Sequence, residues 1–229
     1  MTLTITHSEP RYKRRSGKTE EMRQRILEES IKLFVEQGYE KTTTRQILQN
    51  VGILNGSLYN IYKSKEDIFS DIIMMSLSEV MAEAPKHISD DTDKADTLAY
   101  LLCIEVYISN RSQRIAELLC IANENWKIRT RVNDMVARWV SVANANGSAP
   151  LDVDNPYLRL DACMGAAFVI MEKMANEPGS VDERAAMTVV VETVYALLHK
   201  VQSKAADTVG ALLGSFSRSE MTIAGIRIL

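Results

Sequence analysis

The sequence predicts an all-α fold, with a three-helix helix-turn-helix unit at the N-terminus and a larger helical body after it. Three observations carry this prediction. Apolar residues recur at helical spacing through most of the 229 residues. Capping residues punctuate these runs at regular intervals. No stretch shows the period-two alternation of a half-buried strand, and Val189–Val191 sit inside an apolar block too long for one.

Thr19 can cap a first helix, with Glu20 and Glu21 favourable in its opening turn. Met22, Ile26, Leu27, Ile31, Phe34 and Val35 then form one face, and Gly38 fits the left-handed position after the helix. Thr43 and Gln46 make a capping box that opens a short second helix, which Gly52 stops. A third helix starts at Leu54 or Asn55 and runs through Tyr62. Ser64 and Asp67 open a longer one that ends before Pro85. Further helices are expected over about 93–109, 112–124 and 126–145. The segment "NGSAPLDVDNP" then reads as the clearest internal linker. Asn155–Pro156 reads as an N-cap with proline at N1, and Ser180 with Glu183 boxes the last helix expected. About fifteen C-terminal residues carry no clear assignment.

Composition excludes several functions. The chain is 46% hydrophobic and 25% charged, ordinary for a globular protein, and no apolar run reaches the length of a membrane span. The N-terminal charges follow the few apolar residues there, the wrong order for a secretory signal, so a cytoplasmic, unprocessed protein is expected. Cys103, Cys120 and Cys163 lie in apolar stretches and read as buried thiols. The three histidines are too scattered to form a metal motif, and neither a phosphate-binding glycine loop nor a nucleophile elbow is present. Neither a metal nor another cofactor is expected, and nothing points to an enzyme.

Charge is unevenly distributed. Residues 1–65 hold 12 of the 27 Lys and Arg but only 7 of the 30 Asp and Glu, an excess of five positive charges. The remainder carries an excess of eight negative ones. A basic end on an acidic body suits a polyanionic partner. The basic cluster Arg11, Lys13, Arg14, Arg15 and Lys18 is expected as a flexible arm over residues 1–18, ahead of a helix-turn-helix domain over 19–66 and a helical body over 67–229.

Within the helix-turn-helix, Ile47, Leu58 and Ile61 or Tyr62 can pack on Leu27, Ile31 and Phe34. Thr44, Arg45, Asn55, Ser57, Tyr59 and Asn60 then face outward, small donors and acceptors suited to base edges and phosphates. Gly56 permits close approach of backbone to a ligand. The helix start at Ser64–Lys65 offers N–H groups and a cation to a phosphate.

Gly38–Tyr39, Thr42–Thr44, Gly52, Gly56, Leu58–Tyr59 and Lys65–Glu66 stand in an order and spacing that closely resemble the N-terminal domain of the TetR family of regulators. The resemblance covers about the first 70 residues. It implies that Thr44 and Lys65 contact phosphates, that Tyr59 contacts the backbone or a base, and that Asn55, Ser57 and Asn60 lie near bases. It departs from the pattern at Leu54, where the family often has a capping Ser, and at Ile61 and Tyr62, where it usually has His and Phe. These departures bear on sequence preference more than on fold.

The body carries two further expectations. The helices containing "DACMGAAFVIMEKMA" and "AAMTVVVETVYALLHKV" are apolar on nearly every face, and Ala162, Gly165, Ala166 and Ala167 permit close helix approach. Pairing of this surface across a two-fold axis makes a homodimer, which the family resemblance also implies. Tyr100, Cys103, Tyr107, Trp126, Met135, Trp139, Met164 and Phe168 can line a ligand cavity or simply form core. Glu105 is the polar exception among them. It either faces solvent or offers a carboxyl to a cationic or hydroxyl-bearing ligand.

The reading is therefore a ligand-responsive transcription regulator, a repressor that binds an inverted-repeat DNA operator as a dimer and responds to an unknown small-molecule effector. A dimerisation or scaffold module, with a basic arm for a protein or membrane surface, is the rival. Sequence-selective, salt-sensitive DNA binding separates the two.

Overall fold

Arg and Lys are good helix formers, and extending an existing helix adds a hydrogen bond for each residue fixed. These two facts set where the first helix starts. In the computed structural model, α1 spans Arg11–Gln37, so residues 11–18 form helix rather than a flexible arm, and Thr19 lies within the helix rather than at its cap. Pro10 immediately precedes it. The structure describes residues 11–53, 60–88, 94–141, 153–198, 204–219, 222–223 and 226–227. The chain divides into two compact units, Met1–Asp71 and Ile72–Leu229.

In the first unit, α1 ends where Gly38 adopts φ 90°, in the left-handed region that glycine favours. The capping box forms as expected: the Thr43 N–H donates to Gln46 Oε1 (2.8 Å) and the Gln46 N–H to Thr43 Oγ1 (3.2 Å). It opens α2, Thr44–Val51, which Gly52 closes at φ 74°. Arg25 Nη2 donates to the Val51 carbonyl at 2.8 Å, satisfying an orphan acceptor at that end. Ile26, Phe34, Ile47, Tyr62, Ile68 and Phe69 are buried together in this unit. The third helix expected from 54 or 55 lies almost wholly outside the described residues.

α3 spans Lys65–Glu83 and is followed by a 3-10 turn, Ala84–Lys86, that contains Pro85. Ser64 Oγ accepts from the Asp67 N–H at 3.1 Å, the cap read from sequence. The helices of the body are α4 (Lys94–Arg111), α5 (Gln113–Glu124), α6 (Trp126–Ser141), α7 (Pro156–Asn176), α8 (Glu183–Leu197) and α9 (Ala205–Phe216). Nine α-helices are thus present among the described residues. Thr222–Ile223 and Ile226–Arg227 add a two-residue antiparallel pair, β1 and β2.

α4 is the central element, packed against α5, α7, α8 and α9. Its apolar residues surround the helix on all faces, as burial on every side requires. Tyr195 ties three helices together, bonding Asp96 Oδ1 at 2.5 Å and Thr208 Oγ1 at 2.7 Å.

Two further capping expectations resolve differently. Asn155 takes a left-handed conformation (φ 53°) and makes no side-chain cap, although Pro156 does begin α7. α8 is capped by Asp182, whose Oδ1 accepts from the Ala185 N–H at 2.7 Å, rather than by Ser180. A carboxylate at this position also gains from the helix dipole. α6 takes its cap from Asn125, whose Oδ1 accepts from Lys127 and Ile128 N–H groups. α9 was not expected as a separate helix; the apolar spacing of Ala205, Val209, Leu212 and Phe216 is its sequence signal.

Candidate nucleic-acid interface and effector cavity

The start of α2 gathers three of the candidate DNA contacts. Thr44 and Arg45 form its first turn, Thr44 half-buried and Arg45 exposed. Lys65 Nζ reaches the same place from α3. It donates to the carbonyls of Tyr39 (2.7 Å) and Thr42 (3.0 Å) and sits 4.0 Å from the centre of the Tyr39 ring. Two of the three ammonium donors are thereby used within the chain, leaving one to point elsewhere. Asn60 is exposed in the turn before α3. Asn55, Gly56, Ser57 and Tyr59 lie outside the described residues.

Behind this surface, Tyr62 is nearly fully buried. Arg23 Nε donates to its hydroxyl at 3.0 Å, and the same guanidinium pairs with Asp71. Burial, then the neighbouring Asp71 charge, pushes the Tyr62 hydroxyl up to about 12, so it stays protonated as a structural bridge. The departure to Tyr at this position therefore gives α1 a polar tie to the turn before α3.

Residues 26–72 match the family model described as bacterial regulatory proteins, tetR family. The matched segment holds the capping box, the Gly52 turn and the Lys65 contacts. The N-terminal domain is of the TetR type. The repressor KstR2 of Rhodococcus jostii (strain RHA1) is 28% identical over 142 residues, 58% of this chain and 70% of that protein. The fatty acid metabolism regulator protein of Bacillus subtilis (strain 168) is 18% identical over 119 residues, 51% of this chain and 61% of that one. The crystal structure of RolR in complex with resorcinol superposes with a TM-score of 0.64 at 15% identity, covering 91% of this chain and 99% of that one. It shows the shared fold. The match of residues 26–72 and these relatives make the chain a DNA-binding transcription regulator.

The second unit contains a cavity of about 70 Å³ walled by α3, α4, α5, α6 and α7. Ile73, Leu77 and Val80 of α3 face Leu101, Ile104 and Ile108 of α4, and Leu119, Val132 and Met164 complete an aliphatic lining. Its polar members are Ser76, Glu105, Asn123 and Arg129. Burial alone pushes the Glu105 carboxyl up to about 7. The residue keeps some water-accessible surface, as a side chain lining an internal cavity does, while its carboxyl is enclosed by protein.

Of the nine residues read as possible cavity lining, Glu105 and Met164 are on this wall. Seven lie elsewhere. Tyr100 and Tyr107 pack against Phe216 of α9, with ring centroids 5.8 and 5.0 Å apart, so α9 fills the space beside them. Cys103 faces the Met187 carbonyl of α8. Phe168 packs on Ala116, Cys120 and Ala175. The Trp139 ring lies under the Lys94 ammonium, which also donates to the Trp139 carbonyl. Trp126 begins α6 and is 64% exposed. Met135, also read as possible lining, is half-buried and off the wall as well. The α3 residues of the wall escaped sequence reading because their apolar spacing is that of any packed helix.

A second hollow of about 380 Å³ lies at the surface between the 3-10 turn and α9, lined by His87, Asp96, Thr208, Ser215 and Arg218 among others. It is more open and more polar than the cavity beside Glu105, whose lining is mostly apolar. The latter is the better container for a small molecule. Among the described residues no group of three or more His, Cys, Asp or Glu could hold a metal ion, and no helix is long and apolar enough to cross a membrane.

Proposed function

We propose that this chain is a repressor that binds an inverted-repeat operator as a homodimer in the cytoplasm and releases it when a small molecule occupies the second unit. The observation that carries the reading is the α2 start. There a capped helix, the exposed Arg45 and the Lys65 ammonium converge within the segment that matches the family. Thr44, Arg45 and Lys65 would take phosphates, while Asn55, Ser57, Tyr59 and Asn60 would read or position bases, with Gly56 allowing close approach.

The exposed stripe of α7 and α8 supports the dimer. Leu158 (69% exposed), Val169 (61%) and Val189 (51%) stand out of the surface beside Ala162 and Gly165. A second copy of this face would remove them from water, and two copies would present two reading heads. Ile73, Ser76, Leu77 and Val80 line the cavity from α3, the helix whose first residue is Lys65. An occupant that widens the cavity would therefore act on α3, and a difference in affinity between two α3 positions would shift the DNA-binding population.

Selection of bound duplexes from a random pool, followed by titration of the winner against salt, tests the reading. An inverted repeat bound with a steep salt dependence is expected. Binding with no sequence preference at moderate salt would leave only the scaffold alternative.

A further inference from the structure

The cavity beside Glu105 poses a chemical problem that its own walls do not solve. Among the described residues no ion pair or hydrogen bond reaches the Glu105 carboxyl, and Arg129 is the one other ionisable group of the wall there. Water fits by volume, since each molecule needs roughly 10–15 Å³, but each also needs two to four polar partners. The lining offers those only near Glu105, Ser76, Asn123 and Arg129; Arg129 Nη1 already donates to the Asn123 carbonyl at 2.7 Å. The rest is aliphatic.

A suitable occupant is thus apolar over most of its surface and polar at one point. We propose that the cavity binds a small, uncharged aliphatic molecule whose hydroxyl group hydrogen-bonds to Glu105. This rests on the reading of the second unit as the sensing part of the regulator, and names the class of molecule sensed.

Charge and size narrow the class. Among its described residues the wall holds no aromatic ring, so they offer a cation none of the ring-face attraction that cationic sites commonly use. Burial favours the uncharged form of Glu105, and a protonated carboxyl both donates and accepts, as a hydroxyl does. A carboxylate ligand would meet an unpaired acid in an apolar enclosure, which is costly. At about 70 Å³ the cavity is roughly half the ~150 Å³ that admits benzene, so a branched alcohol such as isobutanol, about benzene's own size, enters only as the walls move.

The test uses the full chain with methyl-labelled Met and Ile, titrated by NMR with isobutanol, isobutylamine and isobutyrate, which share a body and differ in the polar group. Isobutanol is expected to shift the Met164 and Ile73 methyl signals saturably, at least tenfold more tightly than the amine or the acid. Glu105→Leu should weaken it at least fivefold. Glu105→Gln, whose amide also donates and accepts, should bind within about threefold of wild type and shows that the variant site is intact. Tighter binding of the amine, no saturable shift, or equal binding by Glu105→Leu would overturn the proposal. DNA affinity measured on the same samples separates the two readings. Methyl shifts without a change in DNA affinity would keep the alcohol site and remove the regulatory reading. Release of DNA by another small molecule, with no isobutanol shift, would do the reverse.

Discussion

The Lys65 ammonium lies 2.7 Å from the Tyr39 carbonyl oxygen and 4.0 Å from the centre of the Tyr39 ring. One side chain at the start of α3 thus closes off the turn after α1 and, through the Thr42 carbonyl at 3.0 Å, the approach to α2. Tyr39 itself packs at 4.8 Å on Phe69 and at 5.3 Å on Phe34, so the ammonium caps an aromatic cluster.

Removing that ammonium leaves the Thr42 carbonyl without its donor and the Tyr39 carbonyl with only the Thr42 N–H at 3.2 Å. A charge-assisted hydrogen bond contributes about 1.5–3 kcal/mol. Lys65→Met, which keeps the apolar stem, should destabilise the first unit by about 1–3 kcal/mol in urea denaturation followed by tyrosine fluorescence. DNA affinity should fall as well. A loss of affinity with unchanged stability would instead make Lys65 purely a phosphate ligand.

Gly52 isolates a conformational effect. Its φ of 74° is unfavourable for a residue with a Cβ, yet a Cβ built there meets nothing within 4 Å. Gly52→Ala should therefore cost about 1–2 kcal/mol from backbone strain alone. Thermal denaturation of this variant beside Gly17→Ala, which lies within α1 and should be neutral to stabilising, checks it.

Gly165 isolates the dimer. It is exposed on α7, and a Cβ there also meets nothing within 4 Å, so a side chain at this position starts out into open space. Gly165→Leu should leave the thermal stability of the isolated chain intact while weakening self-association at least tenfold. Light scattering across micromolar concentrations reads this directly. A wild-type monomer at those concentrations would sink the two-headed operator model.

Glu105 makes stability depend on pH, and the direction follows from its raised value. The folded chain holds this proton up to about pH 7, whereas an unfolded glutamate releases it near 4.5. Between those values the folded state binds more protons, so its stability falls as pH rises, and above 7 the full cost remains. Glu105→Gln should abolish this component and be more stable than wild type at pH 8 by roughly 1–3 kcal/mol. Denaturation at pH 5 and pH 8 for both proteins measures it.

Arg45 is the exposed cation at the α2 start. If it neutralises one phosphate, Arg45→Ala should reduce the slope of log affinity against log salt by about 1, uniformly across duplex sequences. Asn60→Ala should change base preference more than affinity for random DNA, and Tyr59→Ala should weaken binding to the selected duplex. Fluorescence anisotropy at several salt concentrations distinguishes these outcomes.

Local chemistry made much of the fold legible in the sequence. The Thr43–Gln46 box, the Ser64–Asp67 cap and the left-handed Gly38 and Gly52 depend on neighbours three or four residues apart, and each stands where the sequence placed it. Helical periodicity likewise identified α4 to α8, because a helix that buries an apolar face must space that face every three to four residues. The cavity wall was a different matter. Glu105 interrupts the apolar run "YLLCIEVYI" and could be singled out as exceptional, but whether it faced water or a void depended on α3, α5 and α6 packing around it. Tyr100 and Tyr107 carry the same sequence signal as pocket aromatics, and only the docking of Phe216, more than a hundred residues away, makes them core. Sequence spacing determines which side chains share a helix face. Which faces meet, and what volume they leave between them, is decided by long-range packing, since one apolar stripe can satisfy the hydrophobic effect against many partners.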